Sequence, residues 1–174
     1  MACGTLTKGR GLDCNRISGG IKNIYFAVYD QVLSTTVNVD EITDIDMGTS
    51  SLYKYTMPLG VASLTDTITG SRENGTVFFT PTVNIILNRL TKEDQNEIKL
   101  LAQTKLVIFA ELNATLASNG HTVIVCLGRV NGMELNAGTM DSGAAFGDRG
   151  GYTLTFDGLE TEPFIMVKDY TATP

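Results

Sequence analysis

The chain has 174 residues, of which 43% are hydrophobic and 18% are charged, and its formal net charge is −6. This length suits one domain with a sizeable core, and the composition is too apolar for a disordered chain. The acidic balance argues against a protein that grips nucleic acid by its phosphates, which requires a basic surface. It keeps a protein soluble and would also let DNA pass without sticking.

The start of the chain and its cysteines bear on the compartment. Residues 1–10 contain no apolar run of the length that a signal peptide needs, and no segment approaches the ~20 apolar residues of a membrane span. We therefore expect a soluble protein made in a cytoplasm. Cys126 lies in an apolar run and is expected to be buried. A disulfide between Cys3 and Cys14 stays open, since the cysteine spacing matches no zinc or redox motif.

Residues 1–20 are rich in glycine and show little hydrophobic periodicity, so we predict an extended N-terminal arm there. Such an arm either contacts a partner or is a loosely packed terminus, and both interpretations stay open. Residues 21–174 are predicted to form a single β-rich domain.

Runs of β-branched and aromatic residues, bounded by turn signals, predict eight to ten strands. Residues 24–29 are apolar on both faces, which indicates a strand that is covered on both sides. Residues 36–46 alternate more weakly and predict a short strand that runs into a polar loop. The regular turn signals favour a β-sandwich or barrel.

A long hairpin and one helix stand out from the other strands. The Asn74–Gly75 pair is a strong hairpin signal, and we predict an extended ribbon over residues 60–90 with a projecting tip. Pro81 cannot donate a ladder hydrogen bond and is expected at a bulge, bend or edge. An amphipathic helix is predicted over residues 92–104, with Thr91 as its N-cap. One of its stripes should pack against a sheet; this stripe consists of Ile98, Leu101 and Ala102.

No motif for catalysis, metal binding or phosphate binding is found. His121 is the only histidine, and no nucleophile or set of zinc ligands accompanies it at a recognisable spacing. The glycines of residues 128–132 and 143–151 lack the Gly-Lys-Ser/Thr sequence of a phosphate-binding loop. We expect a protein that is not an enzyme and that uses no cofactor or metal.

Strands that are apolar on one face and rich in Thr, Ser and Asn on the other leave open sheet edges in a monomer. Pairing between identical subunits in a closed ring removes those edges. The N-terminal arm, the ribbon and a glycine-rich loop expected at residues 137–151 would reach the neighbours. The expected contacts between subunits are Lys8, Arg10, Arg16, Arg72, Glu73 and Asn74.

The order of elements, with a long hairpin, a single helix after NIILNRL (residues 84–90) and then further strands, resembles the tail-tube fold of tailed bacteriophages. The segments LTKGRGLDC (6–14), GGIKNIYF (19–26) and GGYTLTFDG (150–158) are similar to virion structural proteins of phages that infect gut Bacteroidota. The resemblance spans most of the chain as an order of elements, and it carries over no individual functional residue.

This resemblance implies a mainly β fold of the tail-tube type with one helix, an extended hairpin and an N-terminal arm. It implies subunits that assemble into rings, often hexameric, which stack around a lumen through which DNA is ejected without specific binding. The partners would be further copies of the chain and other tail proteins of the virion. A neck or connector ring or a tail terminator of related fold is one alternative, and a β-barrel binding module or an unrecognised hydrolase is another.

Overall fold

The computed structural model describes residues 9–10, 18–39, 41–115 and 121–168. Within these ranges the chain is mainly β with one α-helix, which confirms the prediction of a mainly β chain with a single helix. A 3-10 turn follows the first strand at Tyr29–Gln31, and α1 spans Lys92–Leu101. The strands are β1 Ile21–Val28, β2 Ser34–Asn38, β3 Glu41–Asp46, β4 Tyr53–Thr56, β5 Ser63–Ser71, β6 Thr76–Asn88, β7 Leu106–Thr115, β8 Thr122–Leu127, β9 Glu134–Asp141, β10 Gly151–Asp157 and β11 Ile165–Val167.

The strands form two sheets. The larger has the order β2-β3-β11-β8-β7-β1-β4, and the smaller has the order β5-β6-β10-β9. All three pairings in the smaller sheet are antiparallel. A main core lies between the sheets, where Ile24 and Phe26 of β1 belong to the same buried cluster as Val83, Leu154 and Phe156 of the smaller sheet. The centroids of the Phe26 and Phe156 rings lie 5.1 Å apart.

The opposite face of the larger sheet is covered as well. Tyr25 and Ala27 of β1 join a second buried cluster with Val107 and Phe109 of β7. This cluster is closed by partly buried side chains from the segments around β2 and β3, which are Val32, Ile45, Met47 and Leu52. The prediction that residues 24–29 are covered on both sides is therefore confirmed.

The predicted ribbon is present. Strands β5 and β6 pair from Ser63–Asn84 to Ser71–Thr76, whereas β10 pairs only with residues 82–88 of β6. The distal half of the hairpin therefore extends beyond β10 and β9. Its loop spans four residues, 72–75, in place of the two-residue turn that an Asn-Gly pair often forms, and Gly75 takes the left-handed conformation with φ +64°.

Pro81 lies at a break in the ladder between β6 and β10. Regular pairing ends at Asp157–Thr82, and it resumes only as a single bridge between Phe79 and Glu160. Phe79 exchanges both backbone hydrogen bonds with Glu160. Pro81 follows Phe79 by two residues, so its nitrogen also points toward β10. The ladder between β6 and β10 is interrupted at this position, so the missing N–H of proline breaks no hydrogen bond there.

The helix begins as predicted and ends earlier. The Thr91 hydroxyl accepts a hydrogen bond from the backbone N–H of Asp94 at 3.1 Å, which confirms the N-cap. The helix stops at Leu101, three residues short of the predicted end. Leu101 is buried, Ile98 is partly buried and Ala102 is exposed, so the stripe that packs on the core is narrower than expected.

Residues 36–46 were predicted wrongly as one strand and a loop, because they belong to the two strands of a hairpin. Strands β2 and β3 pair with a register shift between Thr36 and Val37, which interrupts the alternation of side chains. The extra strand brings the number of strands among the described residues to eleven, above the eight to ten predicted.

The glycine-rich loop is also shorter than predicted. Residues 137–141 continue β9 and pair with β10, which leaves only residues 142–150 as a loop. The small residues of this segment are typical of a loop, but Gly138 is small because the neighbouring strand packs closely against it. A Cβ atom there would lie 3.0 Å from the Leu154 side chain.

Gly151, the first residue of β10, and Gly147, inside this loop, give a matched test of backbone packing. A Cβ atom at Gly151 would overlap the carbonyl oxygen of Leu87, whereas a Cβ atom at Gly147 would meet nothing within 4 Å. Gly151→Ala should lower the free energy of unfolding by at least ~2 kcal/mol, because backbone atoms must shift to admit the methyl group. Gly147→Ala should stay within ~1 kcal/mol of wild type. Urea unfolding followed by circular dichroism measures both, and equal stability of the two variants would contradict the packing described for β10.

Candidate assembly surface

The outer face of the smaller sheet is mostly polar and carries little charge, with Phe78 and Ile86 as its large apolar members. Val83 and Ile85 of β6 point into the core, and side chains alternate along a strand, so the even-numbered residues of β6 point outward. Their pairing partners on the neighbouring strands point outward as well. We call this outward surface the threonine face. It carries the threonines Thr65, Thr67, Thr69, Thr76, Thr80, Thr82, Thr139, Thr153 and Thr155.

Charge on the threonine face is negative. Its ionisable members in the paired strands are Glu134, Asp141 and Asp157, and none of its paired positions is a lysine or arginine. The Asp157 carboxylate accepts a hydrogen bond from the Asn136 side chain at 2.7 Å. Arg149, from the loop beside β10, reaches the Thr153 hydroxyl at the border of the face.

Among the residues that the structure describes, both outer strands of the smaller sheet, β5 and β9, have a neighbour on one side only. The backbone of Arg89 donates to Gly150, which places the odd-numbered residues of β6 toward β10. By the same alternation, the N–H and C=O groups of Leu64, Asp66, Ile68 and Gly70 point away from β6 at the open edge of β5.

The same alternation defines the other open edge. The odd-numbered residues of β10 point toward β9, where Thr153 pairs with Thr139 and Gly151 pairs with Asp141. The backbone groups of Gly138 and Met140 therefore point outward from β9. Met140 also has an exposed side chain, at 64% of its full surface.

The directions of the two open strands are opposed. Three successive antiparallel pairings join β5 to β9, so β9 runs antiparallel to β5 of the same subunit. Two copies placed side by side in the same orientation would therefore bring β9 of one against β5 of the next as antiparallel strands. The sheet can continue from copy to copy without turning any subunit over.

The projecting ribbon exposes apolar side chains where it leaves the core. Ile68 and Phe79 are cross-strand partners, and Val77 lies on the same face two residues from Phe79. Ile68 is 69% exposed and Val77 is 63% exposed. Side chains of this type on a free ribbon are suited to burial against another surface.

The sequence-predicted contact residues fall into two groups. Arg72, Glu73 and Asn74 all lie in the exposed loop at the ribbon tip. Arg10 is exposed and belongs to neither sheet. Lys8 and Arg16 lie outside the described residues, as do Cys3 and Cys14 and most of the proposed arm. The edge at Gly138 and Met140 was missed, because glycines and small residues masked the strand.

No cluster of three or more His, Cys, Asp or Glu side chains that could hold a metal is found in the described part of the chain. None of the helices described there is long and apolar enough to cross a lipid bilayer. Cys126 is buried, as predicted, and this burial raises the pKa of its thiol to about 12, so the thiol stays protonated at neutral pH. His121 is exposed beside β8.

The principal buried carboxylate is satisfied by its neighbours in the fold. Glu111 of β7 is 8% exposed. Its carboxylate accepts hydrogen bonds from the side chains of Asn23 at 2.6 Å, Thr122 at 3.0 Å, Lys22 at 3.2 Å and Tyr25 at 3.3 Å. Burial raises the pKa of Glu111, but the bonds from Asn23, Lys22 and Thr122 and the charge of Lys22 outweigh it, so the net pKa is lowered. This arrangement links β1, β7 and β8.

A second buried carboxylate organises a turn. Glu160 is 5% exposed, and its oxygens accept from the backbone N–H groups of Val130 at 3.2 Å and Asn131 at 2.9 Å. These bonds fix the tight connection between β8 and β9. In both cases the acid contacts groups of the fold, and its partners explain why it is buried.

A scan against protein-family models, a search of curated proteins and a search of solved structures found no match to this chain.

The Glu111 network predicts a pH-dependent stability. Because the folded pKa lies below the ordinary value of 4.5, ionised Glu111 stabilises the fold above that value, and this contribution is lost as the pH falls through the folded pKa. Glu111→Gln should lower the free energy of unfolding by roughly 1–3 kcal/mol at neutral pH, since its amide cannot accept all four donors.

Urea unfolding from neutral pH to pH values below the folded pKa tests this expectation, with the exposed Glu134→Gln as control. The difference between wild type and Glu111→Gln should shrink as the solution is acidified, while the control stays near wild type. A difference that does not change with pH would contradict the role given to the ionised carboxylate.

Proposed function

We propose that this chain is a ring-forming virion structural protein of a tailed bacteriophage, a tail tube protein whose rings stack around a lumen that conducts DNA. The observation that carries the proposal is the smaller sheet, whose two open edges are antiparallel to each other and whose exposed face is polar. The order of elements in the sequence supplies the comparison with tail tubes.

The open edges favour a closed ring of identical copies. Each copy offers one β5 edge and one β9 edge, so a head-to-tail contact uses both and leaves neither edge of the smaller sheet open at closure. Four strands per subunit keep the alternation of strand direction intact around the ring. Closing a sheet on itself is the general means of removing exposed strand edges. Six copies per ring is the number that the resemblance implies.

The threonine face is suited to line the lumen. When the sheets close edge to edge, this face and the core side of the sheet lie on opposite surfaces of the ring wall, and only the threonine face is free. The paired positions of this face carry Thr hydroxyls and the carboxylates of Glu134, Asp141 and Asp157, so DNA phosphates would meet a cation at its border, at Arg149, and none within the paired strands. DNA binding requires such cations, so this lining would let the genome pass without adhering.

The ribbon provides a contact in a second direction. It extends along the strand axis, roughly at right angles to the edge-to-edge contacts, and its apolar residues Ile68 and Val77 are exposed. A contact of this direction would stack one ring on the next. The protein would then reside in the tail of the virion with other tail proteins as neighbours.

A neck or connector ring or a tail terminator is the second candidate, because the same open edges would close a single ring. The two functions differ in what the ribbon does. Full-length protein at micromolar concentration, examined by mass photometry and electron microscopy, should form rings that stack into tubes. Rings that do not stack would favour the neck or terminator function, and a monomer at all concentrations would contradict both.

The β9 edge gives a matched pair of variants. Met140→Pro removes an outward N–H without touching the ladder to β10, and Met140→Val removes the same side chain but keeps the N–H. Losing one interfacial hydrogen bond and leaving its partner unpaired costs ~1–3 kcal/mol per contact, which corresponds to a loss of affinity from about fivefold to about a hundredfold.

We therefore expect Met140→Pro to remain monomeric at concentrations where Met140→Val assembles, with the same β-type circular dichroism spectrum for both. Mass photometry across a dilution series measures the difference. Equal assembly of the two variants would show that β9 does not pair between copies.

A further inference from the structure

The dipeptide Asn-Gly occurs twice among the described residues, at Asn74–Gly75 in the ribbon tip and at Asn131–Gly132 between β8 and β9. Glycine offers no side chain to hinder its own backbone nitrogen. That nitrogen can attack the Cγ of the preceding asparagine, forming a C–N bond and releasing the side-chain nitrogen as ammonia. Water then opens the resulting five-membered imide to aspartate or isoaspartate.

We infer that Asn74 is a site of spontaneous deamidation, and that Asn131, with the same following residue, is protected by the fold. The two sites share their local sequence, so a difference in rate would come from their surroundings alone. The reaction needs only water as co-reactant.

The surroundings of Asn74 leave the reaction unhindered. All four residues of the loop 72–75 are exposed. The Asn74 N–H donates to the Ser71 hydroxyl at 3.3 Å, while its carboxamide forms no hydrogen bond with any residue that the structure describes. A Cβ atom at Gly75 would meet nothing within 4 Å, so no described group is packed against this glycine.

The surroundings of Asn131 hinder deamidation. Its carboxamide nitrogen donates to the carbonyl oxygen of Leu159 at 2.7 Å, and its backbone N–H donates to the buried Glu160 carboxylate at 2.9 Å. Gly132 is buried, and a Cβ atom there would lie within 3.0 Å of the side chains of Lys105 and Tyr29. Attack would require the carboxamide to leave its acceptor and the packed glycine to move.

The product changes the charge of the tip. Arg72 and Glu73 balance each other in the loop, and conversion of the neutral Asn74 adds one carboxylate. Isoaspartate also lengthens the backbone by one atom and alters the turn. Any effect of this change on stacking rests on the proposed function, whereas the chemistry itself depends only on the turn.

The experiment ages the purified chain in mildly alkaline buffer and measures deamidation over time by mass spectrometry. Brief trypsin cleavage at mildly acidic pH, after Arg72, Arg89, Arg129 and Arg149, places the two asparagines in separate peptides, residues 73–89 and 130–149. Dilute protein is used, so that the result is independent of whether copies assemble. We expect Asn74 to react at least about tenfold faster than Asn131, a difference of about 1.4 kcal/mol in activation free energy.

A parallel sample aged in concentrated urea is the control. Unfolding should bring the two rates together by accelerating Asn131, which would assign the protection to the fold. Equal rates in the native protein, or an Asn131 that stays unreactive in urea, would overturn the inference. If dilute subunits deamidate as expected but never assemble, the proposed function fails and this inference stands.

Discussion

A strand with a neighbour on one side only leaves alternate backbone N–H and C=O groups to solvent or to another chain. Both outer strands of the smaller sheet are in this position, and the strand directions at the two edges are complementary. Pairing them within one subunit is impossible, because β6 and β10 lie between them. Water satisfies these groups in a monomer, and a neighbouring copy would satisfy them in an assembly.

The two sheets differ in how much of their surface the chain itself covers. The larger sheet is packed on one face by the smaller sheet and on the other by the cluster around Tyr25 and Phe109, and Glu111 joins three of its strands. The larger sheet therefore forms the stable centre of the fold. Among the described residues the smaller sheet is packed on one face only, and its threonine face, edges and ribbon stay exposed. The larger sheet also ends in outer strands, β2 and β4, but the smaller sheet alone combines two open edges with an uncovered face and a projecting ribbon.

Sequence patterns predicted those elements whose signals are local. The Thr91 cap, the long hairpin, the two-sided burial of residues 24–29 and the burial of Cys126 each follow from a short run of residues. Sequence patterns did not predict the elements whose structure depends on how strands pair with one another. The shift at Thr36 and Val37 hid a hairpin, and the small residues around Gly138 concealed the edge strand β9. The open β9 edge could not be predicted, because it exists only once β10 has been placed beside it.

Residue-resolved amide hydrogen exchange in dilute and concentrated samples would show whether β5 and β9 pair between copies. The amides of Leu64, Asp66, Gly138 and Met140 point outward from the sheet, whereas those of Thr65 and Thr139 are bonded within it and serve as internal controls. We expect fast exchange of the outward amides in dilute subunits, strong protection of them in the assembled state, and little change at the controls. Outward amides that exchange equally fast at every concentration would contradict this pairing.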